Sequence, residues 1–66
     1  MSLKWTDSRD LAIELCDLHP DVDPMTVRFT QLREWIMELD GFEDEPSHCS
    51  ERVLEAVQMC WIDEAD

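Results

Sequence analysis

Apolar residues recur with helical spacing in three stretches of this 66-residue chain. In "SRDLAIELCDLHP", Leu11, Leu15 and Leu18 stand four and three residues apart, with Ala12 and Cys16 beside them. That spacing gathers them on one face of a helix. Thr6, Asp7 or Ser8 offers an oxygen for its first N–H groups, and Pro20 stops it, because the residue before a proline avoids the α region. A helix over 8–18 is predicted. Further on, Leu32, Trp35, Ile36 and Leu39 fall at i, i+3, i+4 and i+7. They predict a second helix over 31–40, with Thr30 as N-cap, Gly41 as the stop and Phe42 as the apolar contact of the cap. From Glu51 onward, Val53, Leu54, Val57, Cys60 and Trp61 form a third face. It predicts a helix starting at 48 or 50 and running to 63.

The connections read differently. "PDVDP" is rich in turn formers. Thr26, Val27, Arg28 and Phe29 alternate polar and apolar, which is a short strand signal. "GFEDEPSHCS" is a loop broken by Pro46. The expected fold is therefore mainly α. It is one compact three-helix domain over 1–66, with at most a short β element near 26–29. Trp5, Trp35 and Trp61 are expected to supply much of the core, since each ring buries a large area.

Charge changes the picture most. Seventeen Asp and Glu against five Lys and Arg give a net charge of −12. Phosphate binding relies on Lys and Arg, so nucleic acid is excluded as a partner, and anionic membrane surfaces are disfavoured likewise. A winged-helix or helix-turn-helix arrangement would fit the element order, but a DNA-reading role does not. The second helix sets Arg33 against Glu34, Glu38 and Asp40. From Glu34 through Glu51 there are seven acids and no Lys or Arg. The end of the chain adds Asp63, Glu64 and Asp66, where a helix C-terminus ordinarily favours cations.

The candidate chemistry is narrow. Cys16, Cys49 and Cys60 make no CxxC pair, and His19 and His48 lie outside any regular zinc spacing. With no secretory leader in the sequence, a reducing cytoplasmic setting and a monomer are expected. His48 and Cys49 are adjacent, so on a helix they would not face each other as base and nucleophile. No enzymatic activity is expected. Calcium-loop spacing fails everywhere. Carboxylates do suit hard cations, and Glu51 with Glu55, or Asp63 with Asp66 beside Glu64, are helix neighbours. Glu55 lies roughly 12 Å along the axis from Asp63, too far to share an ion unaided. The remaining reading is an acidic face that meets a basic protein patch.

Four segments together carry a resemblance: "LKWTDSR" (3–9), "PDVDPMTVRFT" (20–30), "WIMELDGFEDEP" (35–46) and "VLEAVQMCWIDEAD" (53–66). In order and almost without gaps, they resemble the IscX family of small acidic proteins of bacterial iron–sulfur cluster assembly. The resemblance implies a compact helical fold of winged-helix type and no catalysis. It implies docking on the basic region of a cysteine desulfurase that frataxin also uses, with other assembly proteins as further partners. It also implies weak iron binding by surface carboxylates, as a donor or a regulator. Carried onto this chain, Glu55, Asp63 and Glu64 become the candidate iron contacts. Asp44, Glu55, Asp63, Glu64 and Asp66 become the candidate partner contacts.

Overall fold

In a computed structural model, residues 2–65 are described. Three α-helices follow in order: α1, Ser8–Leu18; α2, Phe29–Met37; and α3, Glu51–Ala65. Short 3₁₀ turns at Pro24–Thr26 and Pro46–His48 join them. α1 and α3 pack most extensively on each other, and α2 closes the remaining side. Between them lie Leu11, Ala12, Leu15, Leu32, Ile36, Leu39, Leu54, Val57, Trp5 and Trp61, all buried. Burying one Trp ring stabilises by at most about 4–6 kcal/mol, so Trp5 and Trp61 weigh heavily in so small a core.

α1 occupies the predicted span, but its cap differs. Asp7 holds the N-cap position without a side-chain cap bond. Its carboxylate instead accepts the Lys4 N–H at 3.0 Å. Leu18, read as part of the apolar face, stays 59% exposed, because the chain turns away at His19. α3 begins where Ser50 Oγ accepts the Val53 N–H at 3.4 Å, and it continues to Ala65, past the expected 63.

The strand expected near 26–29 is not formed. Asp23 accepts the Met25 N–H at 3.0 Å and starts a 3₁₀ turn with Pro24 in its first position. The extended backbone at Val27 then meets a side chain rather than another strand. Gln58 Nε2 donates to the carbonyls of Pro24 at 2.8 Å and Val27 at 3.4 Å. A strand needs a ladder of neighbours, and here one glutamine takes that place. α2 starts at Phe29 rather than after Thr30, with Arg28 in the N-cap position.

α2 ends at Met37, and Gly41 takes a φ of 85°, the left-handed geometry that favours glycine. Phe42 does not fold back on its own helix alone. It packs edge-on against Trp5, with ring centroids 4.7 Å apart. Leu3 and Phe42 form an isolated parallel bridge, in which Leu3 N–H donates to Gly41 O at 2.7 Å and Glu43 N–H donates to Leu3 O at 2.9 Å. That bridge is the β contact among the described residues, and no β-hairpin wing accompanies it.

Candidate functional site

The acids divide into two groups by what surrounds them. Asp44 belongs to the end of the molecule where the N-terminal segment meets the loop after α2. One oxygen, Oδ2, accepts the Trp5 N–H at 3.1 Å. The other, Oδ1, accepts the Glu45 N–H at 2.7 Å and lies 2.9 Å from His48 Nδ1. Because the acceptor is a carboxylate, that histidine nitrogen carries the hydrogen. The Trp5 indole N–H donates to Glu45 O at 2.7 Å, so both N–H donors of a buried ring residue are satisfied here. The His48 hydrogen bond, then the Trp5 N–H, hold the Asp44 carboxyl below its ordinary 3.8, at about 2, against the opposing push of desolvation.

Sequence reasoning grouped Asp44 with the free surface acids. Its side chain is only 14% exposed, and its bonds run across 39 residues of sequence to Trp5. The local signal was the four-residue spacing from Asp44 to His48. The long-range bond has no counterpart in any local pattern.

The second group lies along α3. Glu55, Asp63 and Glu64 are all exposed. Arg9, from the first turn of α1, reaches Glu64 with a guanidinium nitrogen 2.9 Å from its carboxylate. The cation that the end of α3 lacks in sequence is thus supplied from another helix, where it also opposes the negative helix end. Among the described residues Glu55 and Asp63 carry no ion pair, so Asp63 and Glu64, adjacent in sequence, differ in partner. Asp66, also named from the sequence, lies outside the described residues.

Chemically, this surface presents isolated carboxylates rather than a cage. Among the described residues no group of three or more His, Cys, Asp or Glu side chains is placed to hold a metal ion. Cys16, Cys49 and Cys60 are free thiols half-buried against the core. His19 stacks on Trp35 with centroids 4.1 Å apart, packed at the edge of Trp61. An open groove of about 400 Å³ runs between the Pro24–Thr26 turn and α2, lined by Val22, Val27, Arg28 and Trp35 among others, with no Asp, Glu, His or Cys in its walls. Among the described residues no helix is long and apolar enough to cross a membrane.

The fold and surface first define a class: a small, strongly acidic helical module whose described charged side chains all lie outside the core. The family follows from comparison. Residues 3–66 match the model described as iron–sulphur cluster assembly, and the chain belongs to that family, the one its four segments resemble. It is similar over its whole length to an uncharacterized protein of Pseudomonas aeruginosa, 52% identical over 66 residues and covering 100% of each chain.

Proposed function

We propose that this chain is a non-catalytic accessory of iron–sulfur cluster assembly that docks on a basic patch of a cysteine desulfurase and modulates it. The observation that carries the reading is the free acidic side of α3, where Glu55 and Asp63 stand exposed without ion pairs among the described residues. Family membership supplies the assembly context. A net charge of −12 speeds encounter with a basic surface and discriminates against acidic ones. The helical scaffold is read as the three-helix part of a winged-helix-type fold, used here for protein contact rather than for DNA. Glu64 contributes at the edge of this surface, because docking there competes with Arg9.

A second reading treats the same carboxylates as a place for ferrous iron as cargo. The exposed oxygens of Asp63 and Glu64 suit a hard cation, but the described residues supply no gathered ligand set. Iron contact is accordingly weak, and it modulates docking by neutralising charge. The test is a calorimetric titration against the desulfurase, with and without ferrous iron. Binding that weakens with added salt supports the docking reading, and no binding in either state sinks it. For iron, Asp63→Asn with Glu64→Gln reduces affinity while the helical signal persists; unchanged iron affinity removes these residues from the role.

A further inference from the structure

The acidic side of α3 is not uniformly polar. Met59 is 69% exposed, in the middle of the helix. Glu55 stands four residues before it and Asp63 four residues after, so the three form one stripe. One turn on from Met59 is Ile62, which lines a small cleft of about 170 Å³ with Met25 across from it. Met25 is itself 72% exposed, and Asp23 stands in the wall of the same cleft. Gln58 ties the carbonyls of Pro24 and Val27, at either end of the turn, to α3. Met25 and Ile62 are thus held at one place with Asp23 beside them, and exposed Met59 lies one helical turn away on α3, between Glu55 and Asp63.

We propose that this cleft is the apolar centre of the docking surface, and that it takes the aliphatic stems of Lys or Arg side chains on a basic partner protein. The inference rests on the docking reading above and adds an apolar contact to it. Large side chains left in water at one position mark an interaction surface when acids rim them. A lysine or arginine matches both parts, because its methylene stem lies on apolar surface while its charged end reaches a carboxylate. Methionine adapts its shape to such stems. A second copy of this chain is the wrong occupant, since two bodies of charge −12 repel.

The inference separates two contributions that a purely electrostatic surface would merge. Glu55 and Asp63 set the salt dependence, and Met25 and Met59 set a part of the affinity that salt leaves alone. The experiment is titration of Met25→Gln and Met59→Gln, singly and together, against the desulfurase at several salt concentrations, with Met37→Gln on α2 as control. Glutamine keeps length and helix propensity, so the fold is retained and is checked by circular dichroism. The double variant is expected to bind roughly 5- to 20-fold more weakly at every salt concentration, with the salt slope unchanged. Wild-type binding with no loss in the double variant overturns the apolar centre and leaves the acidic docking reading standing. Absence of wild-type binding at low salt overturns both. Self-association of the chain that the methionine changes abolish assigns the cleft to a second copy and also overturns the proposal.

Discussion

Two acidic regions of this molecule use the same side chains in opposite ways. At the N-terminal end, Asp44 turns inward to bond the backbone of Trp5 and Glu45 and the ring of His48. Along α3, Glu55 and Asp63 face water without ion pairs among the described residues. A carboxylate surrounded by N–H donors is part of the fold, whereas one surrounded by solvent is free for a partner. Charge density alone does not separate the two; their neighbours do.

The comparison can be broken most forcefully at Trp5. Trp5→Ala removes a buried ring, its edge-on contact with Phe42 and its indole bond to Glu45. The expected loss is about 3–5 kcal/mol, against a total stability of only about 3–10 kcal/mol for a chain of this size. Urea unfolding followed by circular dichroism measures it, and a midpoint near that of the wild type would contradict a structural role for the Trp5 contacts.

Asp44 sharpens the comparison next. Its pKa is lowered in the folded state, so its stabilising contribution is complete above the unfolded value near 3.8 and is lost as pH falls through about 2. The wild type is measured against Asp44→Asn, so that effects of pH common to both chains cancel. The gap between their urea midpoints is expected to be widest at neutral pH and to close between about pH 4 and 2. A gap independent of pH would mean that the carboxylate charge is not what the N–H donors hold.

Arg9→Gln is expected to act more gently. The Arg9–Glu64 pair is exposed, with Arg9 at 61% and Glu64 at 33%, and such pairs contribute about 0.2–1 kcal/mol. The same variant frees Glu64 and makes the net charge more negative, so binding to a basic partner is expected to strengthen slightly. Asp63→Asn should have the smallest effect on stability, within about 0.5 kcal/mol in thermal unfolding.

Much of the fold was legible because it is local. Leu11, Leu15 and Pro20 are enough to place α1, and Gly41 marks the turn after α2 at its positive φ. The errors arose where distant residues decide. The Val27 carbonyl meets the Gln58 side chain rather than a strand partner, and α2 runs from Phe29 to Met37 instead of 31–40. Glu64 looked uncompensated because Arg9 is 55 residues away in sequence. The acidic surface was legible from charge counting alone. The inward bonds of Asp44 to Trp5 and the exposure of Met59 were not, since both depend on how the elements pack.

The most direct measurement compares Glu55→Gln with Asp63→Asn, made together, against Asp44→Asn in calorimetric titrations with the cysteine desulfurase at low salt. The account predicts that the α3 pair weakens binding and flattens its salt dependence without changing the unfolding midpoint by more than about 0.5 kcal/mol. It also predicts that Asp44→Asn lowers stability while the folded fraction binds as before. Equal binding by the α3 variant and the wild type, or a loss of binding confined to Asp44→Asn, would contradict it.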